Sequence, residues 1–355
     1  MSAIEAEPGN LCGLSGFTAR RRIPEEEVPN PFPEDPTMRH TSILRWLLSA
    51  TLLAVGCTGS AVEAARARAA RAVPRDTASI ALGTGVRLHY LVQGAPAGRP
   101  VILLHGYTDS RASFDRVLPA LPRSWRIYAL DQRGHGRSSR PATGYGMGGM
   151  AADVLAFMDS LGIGRATLVG HSMGSFVARA VAEAAPGRVD RLVLVGTGVS
   201  VRNPVVREFA AAVEALADPV PADFVRDFQM GTVYHPVPDA FMRDAIAASL
   251  TLPASVWKSL MVGMLEMQPL AAGSPAAGIP SLLLWGERDA IFGRAEQDSV
   301  LLLLGSARLR VYPETGHAPH WERPAEFVRD LREFVAATPA RSDLLERFSH
   351  RKVQP

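Results

Sequence analysis

The stretch Thr167-Leu168-Val169-Gly170-His171-Ser172-Met173-Gly174-Ser175 decides how this chain is read. A short apolar run enters a G-x-S-x-G turn, and residues 176–185 continue with apolar side chains at helical spacing. Strand, sharp turn and helix in that order project the central serine from the apex of the turn. Glycines two residues to either side, Gly170 and Gly174, remove side chains that would collide in so tight a bend. The turn also puts the Met173 backbone N–H at the start of a helix, where N–H groups are unpaired and the dipole is positive. Ser172 is thus the candidate nucleophile, and Met173 N–H a candidate donor to a developing oxyanion.

Further short apolar runs lie at 86–92, 101–104, 126–130, 191–195, 281–285 and 308–312, separated by amphipathic stretches. Strands alternating with helices predict βαβ units, hence an α/β fold with a mostly parallel, doubly wound sheet. The unbroken apolar runs Val101-Ile102-Leu103-Leu104 and Leu282-Leu283-Leu284-Trp285 suit strands covered on both faces. The core is expected over 78–199 and 276–338, with a tail at 339–355. Residues 200–275 break the rhythm. They carry bulky side chains such as Phe209, Phe228, Trp257, Met261 and Met264, punctuated by prolines, and predict a helical insertion. Ordinary core helices packed on the sheet are the alternative.

A second motif, Leu103-Leu104-His105-Gly106-Tyr107-Thr108-Asp109-Ser110, also follows an apolar run, and Asp131-Gln132-Arg133-Gly134-His135-Gly136-Arg137-Ser138 comes next. These two motifs followed by G-H-S-M-G resemble the α/β-hydrolase superfamily, in its group of small esterase, lactonase and haloperoxidase-like members. The resemblance spans roughly residues 80–337 and implies the α/β-hydrolase fold with a helical cap at 200–275. It implies that the residue after His-Gly, here Tyr107, supplies the second oxyanion donor from its backbone. His105, His135 and His171 would be supporting residues rather than catalytic ones.

A serine hydroxyl needs an imidazole to take its proton, and the imidazole needs an orienting carboxylate. Late in the chain, Gly316-His317-Ala318-Pro319-His320 offers two histidines. The family pattern places the base directly after a glycine, which selects His317 over His320. For the acid, Leu284-Trp285-Gly286-Glu287-Arg288-Asp289 matches the family's G-x-x-D turn, selecting Asp289 with Glu287 as local competitor. The order Ser172, Asp289, His317 is the one this fold uses.

Serine at the elbow argues against haloalkane dehalogenases and epoxide hydrolases, whose relatives of this fold use aspartate there. Hydrolysis of a small apolar ester or lactone is the resulting expectation. C–C bond hydrolysis, perhydrolase activity, acyl transfer, peptidase action and a non-catalytic binding module stand as alternatives. No feature calls for a metal or organic cofactor. Cys12 and Cys57 are the only cysteines, so a Cys-based zinc site within 58–355 is excluded. A net charge of +3 with no dense basic stripe gives no electrostatic footprint of a nucleic-acid binder.

Residues 1–37, rich in Pro, Glu and Arg, read as a disordered arm or as an over-long reading frame preceding a start at Met38. Residues 38–64 have a positive beginning and a short apolar run from Trp46 to Gly56, the layout of a secretory signal. Leu53-Ala54-Val55-Gly56-Cys57 resembles a lipobox, which would lipidate Cys57 and give a membrane attachment; simple cleavage near Val62-Glu63-Ala64 competes. Residues 65–77 read as a linker. Export is the expectation, and a cytoplasmic protein with an uncleaved apolar arm is the alternative.

Overall fold

A computed structural model describes residues 75–337. The arm at 1–37, the signal-like segment 38–64 with Cys57, most of the linker and the tail at 339–355 lie outside the described residues.

Eight strands form one sheet: β1 (Arg75–Ala81), β2 (Arg87–Gly94), β3 (Arg99–Leu104), β4 (Trp125–Asp131), β5 (Ala166–His171), β6 (Val189–Val195), β7 (Ser281–Gly286) and β8 (Ala307–Tyr312). Their spatial order is β1-β2-β4-β3-β5-β6-β7-β8. The β1–β2 and β2–β4 pairs are antiparallel, and every later pair is parallel. The central strands separate two apolar layers by simple alternation. Ile102 and Leu104 of β3, Leu168 of β5 and Leu192 and Leu194 of β6 pack to one side. Val101 and Leu103, Val169, and Val193 and Val195 pack to the other. A period of two with both faces covered produces the continuous apolar runs seen in the sequence.

Helices α1 (Met147–Ser160) and α2 (Met173–Ala184) cover the first layer. Between β6 and β7 come α3 (Pro204–Glu214), α4 (Ala222–Gly231), α5 (Asp239–Leu250) and α6 (Ala254–Glu266). Pro204 is the first residue of α3, while Pro221, Pro238 and Pro253 directly precede α4, α5 and α6. Proline lacks an N–H and fixes φ, so it suits a helix entry and breaks a helix interior. That cuts the segment into four helices. Helix α7 (Arg294–Leu304) links β7 to β8, and α8 (Pro319–Glu322) and α9 (Pro324–Ala336) follow.

One boundary is corrected. The linker was expected to reach residue 77, but β1 begins at Arg75. This edge strand is largely exposed, so Arg75-Asp76-Thr77 carries no apolar alternation by which sequence could mark it. It is recruited by pairing with β2, Arg75 lying opposite Gln93.

After β3 the chain moves to β4 on one side and later to β5 on the other. In an open α/β sheet, the crevice beyond the carboxyl ends of two such strands is where ligands bind. His105-Gly106-Tyr107 leave β3 there, and Ser172 leaves β5 beside them.

Candidate active site

Ser172 sits between β5 and α2 with φ 49° and ψ −119°, a backbone conformation that L side chains rarely adopt. The surroundings hold it there. Its N–H donates to Val195 O at 2.8 Å, and its carbonyl accepts from Ser175 N at 2.8 Å and Ser175 Oγ at 2.6 Å. The two elbow glycines are required by contact. A Cβ on Gly170 would lie 2.1 Å from Gly174 O, and one on Gly174 would lie 2.2 Å from Leu104 O. Backbone strain held by over-determined surroundings is a common property of functional sites.

Asp289 follows β7 and His317 follows β8, and the sheet brings them together. His317 Nδ1 and Asp289 Oδ2 are 2.9 Å apart, and both side chains are buried. Asp289 Oδ1 accepts from the N–H groups of Ile291 at 2.8 Å and Phe292 at 3.1 Å. With one oxygen fixed by two backbone donors, the other is aimed at the imidazole. Because a carboxylate only accepts, His317 donates from Nδ1, leaving Nε2 as a bare lone pair. Nε2 is buried and has no hydrogen-bond partner among the described residues. His317 and Ser172 line the same cavity. The His317 ring also sets the need for a glycine at 196, where a Cβ would come within 2.7 Å of its Cε1 and Nδ1.

The competing residues are placed elsewhere. Glu287 is exposed, and its Oε2 faces Glu314 N at 3.5 Å. His320 is buried beside Ser113, with Nε2 to Oγ at 3.2 Å. Burial, reinforced by His317 and Arg116, pushes its pKa down to about 3, so it stays neutral.

The three supporting histidines are all buried. His105 Nε2 accepts from Gln132 N at 3.1 Å, so its Nδ1–H is the donor to Gly106 O at 2.9 Å. His135 Nδ1 lies 2.8 Å from Arg133 O. Burial lowers their pKa values to about 4 and about 3. Neutral imidazoles therefore tie the β3 and β4 loops. His171 Nε2 meets the His317 carbonyl at 3.3 Å, and burial holds its pKa well below the usual range.

Tyr107 lines the cavity, and Met173 opens α2 directly after Ser172, which lines it as well. Neither backbone N–H is engaged in a hydrogen bond within the described residues. The Tyr107 side chain turns to the inserted helices. Its hydroxyl donates to Trp257 O at 2.6 Å, and its ring meets Trp257 and Phe228 edge-on at 5.3 and 5.8 Å. Phe209 stacks on Phe228 at 4.9 Å. The inserted helices give the cavity an apolar wall, with Val206, Phe209, Phe228, Met261 and Met264 contributed by α3, α4 and α6.

Two cavity residues had no assigned role in the sequence. Asp109 was visible only as part of the His-Gly motif. Gln229 was not singled out, and no sequence signal marked it. Both are buried, and Gln229 Nε2 donates to Asp109 Oδ1 at 3.1 Å. No group of three or more metal-ligating side chains occurs among the described residues.

Comparison with known proteins agrees with this fold. The α/β hydrolase fold family model matches residues 99–235. The chain is 32% identical over 281 residues to the non-heme chloroperoxidase of Streptomyces lividans, covering 72% of this chain and 99% of that protein. It is 30% identical over 272 residues to the non-heme haloperoxidase of Rhodococcus erythropolis, covering 71% and 96% respectively. Among solved structures, a thermophilic esterase from Thermogutta terrifontis aligns with a TM-score of 0.64 at 25% identity, covering 73% of this chain and 98% of that one. The chain belongs to the α/β-hydrolase superfamily. It is an enzyme of the hydrolase class.

Proposed function

We propose that this enzyme cleaves carboxylic esters or lactones through an acyl-enzyme on Ser172. The observation that carries the reading is the 2.9 Å contact between His317 Nδ1 and Asp289 Oδ2, with the opposite nitrogen bare in the cavity that Ser172 lines. Ser172 Oγ attacks the carbonyl carbon as its proton passes to His317 Nε2. The tetrahedral oxyanion is held by the N–H groups of Tyr107 and Met173, each worth about 3 kcal/mol by analogy with comparable sites. Collapse expels the alcohol, which takes the proton from His317. Water, deprotonated by the same nitrogen, then releases the acid and restores the serine. Asp289 stabilises the transient imidazolium through a charge-assisted hydrogen bond. Helices α3–α6 act as the cap, and their apolar side chains favour an apolar substrate.

The test is hydrolysis of p-nitrophenyl esters of increasing acyl length, alongside lactones. Ser172→Ala is expected to abolish turnover while leaving the fold intact. Wild-type-like activity in that variant would remove the scheme.

The chloroperoxidase and haloperoxidase names of the relatives favour a second reaction on the same residues. A carboxylic acid acylates Ser172 with loss of water, and hydrogen peroxide replaces water as the attacking group, giving a peracid and free Ser172. Peracid formation from acetate and hydrogen peroxide, lost in Ser172→Ala, would support it. We read segment 38–64 as an export signal; recovering only full-length chain from the cytosol would argue against that.

A further inference from the structure

The cavity beside Ser172 carries a few buried polar side chains, and two of them outside the proposed catalytic residues, Gln229 and His171, share one property: each has an acceptor atom with no donor. Gln229 is 1% exposed, lines the cavity, and has its Oε1 without a hydrogen-bond partner. The orientation of its amide follows from its neighbours. Ser249 Oγ donates to Thr108 O at 3.0 Å, which uses its only proton. Its oxygen can then only accept from Gln229, and the nitrogen lies 2.8 Å away. Asp109 Oδ1 takes the second Nε2 proton at 3.1 Å. Both amide hydrogens are thereby consumed, and the carbonyl oxygen is left over as an acceptor.

His171 repeats the pattern. Its Nε2 faces the carbonyl oxygen of His317, so the proton resides there. Nδ1 is then a bare acceptor, buried, without a partner, and on a residue that also lines the cavity. Asp109 Oδ2 stands 3.9 Å from it and already accepts from Ser113 Oγ at 3.5 Å, so it offers Nδ1 no donor. Buried acceptors without donors are costly and are rarely left so. A purely hydrocarbon substrate would leave them unpaired, whereas a hydroxyl would supply what they lack.

Resting on the reading of Ser172 as an ester-cleaving nucleophile, we infer that Gln229 determines specificity, its amide oxygen accepting a hydrogen bond from a hydroxyl on the substrate. The preferred substrates are then esters with a hydroxyl close to the scissile group inside an otherwise apolar body. Both the acyl and the alcohol portion of an ester can carry that hydroxyl. A site built to bond a hydroxyl discriminates strongly against the analogue lacking one, because its own acceptor is then stranded.

The experiment compares matched pairs. p-Nitrophenyl 3-hydroxybutyrate is set against p-nitrophenyl 3-methoxybutyrate, and 2-hydroxyethyl butyrate against 2-methoxyethyl butyrate. The methyl ether keeps an oxygen but removes the donor. The hydroxy compound of at least one pair is expected to exceed its ether in kcat/KM by about tenfold or more. The pair that responds tells which portion enters the subsite. Gln229→Met, similar in length but without the acceptor, should erase the preference, so that the hydroxy and methoxy members of each pair react at equal rates. Equal rates for both members of both pairs in the wild-type enzyme would overturn the inference, and this arm does not depend on the variant folding. Binding of the same compounds to Ser172→Ala, read as Kd, is the independent arm. If no ester is turned over but the hydroxy compound still binds more tightly, the esterase reading fails and the subsite stands. If esters are turned over and bound without discrimination, the subsite fails and the esterase reading stands.

Discussion

Asp289 Oδ2 lies 2.9 Å from His317 Nδ1, while Asp289 Oδ1 is pinned by the N–H groups of Ile291 and Phe292. The carboxylate is therefore oriented by backbone, and it fixes the histidine tautomer in turn. Replacing Asp289 by Asn would present an amide that can donate to Nδ1 and so favour the wrong tautomer. Asp289→Asn is expected to lower kcat for p-nitrophenyl butyrate by about 10³–10⁴-fold, whereas Glu287→Gln, at an exposed position, leaves it unchanged. Steady-state kinetics on the two variants decide between the two carboxylates.

The elbow glycines give a stability prediction with an internal control. A methyl group on Gly174 would press within 2.2 Å of Leu104 O and 2.6 Å of His105 O, backbone atoms at the end of β3 and the start of the loop that follows it. Neither can move cheaply, so Gly174→Ala is expected to cost about 3 kcal/mol or more, within the range of severe overpacking. Gly148, inside α1, has nothing within 4 Å of its added Cβ. Gly148→Ala should stabilise by up to about 1 kcal/mol. Urea denaturation of both variants checks the contrast.

The sheet and the candidate site were legible to different degrees. Strands β3, β5, β6 and β7 announce themselves because burial on both faces gives each a run of consecutive apolar residues at its centre. β1 is silent because an exposed edge strand is specified by its partner rather than by its own residues. Ser172 and Asp289 stand out because each follows an apolar strand and sits in a short glycine-bearing turn; His317 follows the half-exposed β8, with its two arginines, and is marked only by Gly316 directly before it. Asp109 and Gln229 do not stand out. Their significance arises from a contact across 120 positions of sequence, made only when α4 folds over the loop after β3. Glutamine on a helix carries no local sign of burial. The direction of its amide depends on Ser249 and Thr108, which have no pattern of their own.

Asp109 should make stability depend on pH. Burial, the dominant cause, raises its pKa to about 6 from the ordinary 3.8, against the opposing hydrogen bond from Gln229. Below about pH 3, under the unfolded-chain value of 3.8, the carboxyl is protonated in both folded and unfolded chains, and this stability is fully present. As pH rises towards 6 the unfolded chain ionises first, and the folded state loses stability relative to it. The loss is about 3 kcal/mol in all, at about 1.4 kcal/mol per pKa unit. Asp109→Asn keeps an oxygen for Gln229 but does not titrate. The stability of the variant relative to wild type should rise by about 3 kcal/mol between pH 3 and pH 7. Denaturant unfolding at a series of pH values measures it, and parallel curves for the two proteins would show that Asp109 does not titrate as stated.

The Tyr107 hydroxyl joins the loop after β3 to the inserted helices through Trp257 O at 2.6 Å. Its backbone N–H belongs to the proposed oxyanion site, so the residue has two separable jobs. Tyr107→Phe removes the hydroxyl and leaves the backbone donor and the edge-on contacts with Trp257 and Phe228. The buried bond lost contributes about 1 kcal/mol. If the hydroxyl holds the helices over the site, the variant should show a raised KM for p-nitrophenyl butyrate with kcat nearly preserved, because the donor to the transition state is untouched. A fall in kcat with unchanged KM would instead mean that the side chain sets the position of its own N–H. Steady-state kinetics together with a melting curve separate these outcomes.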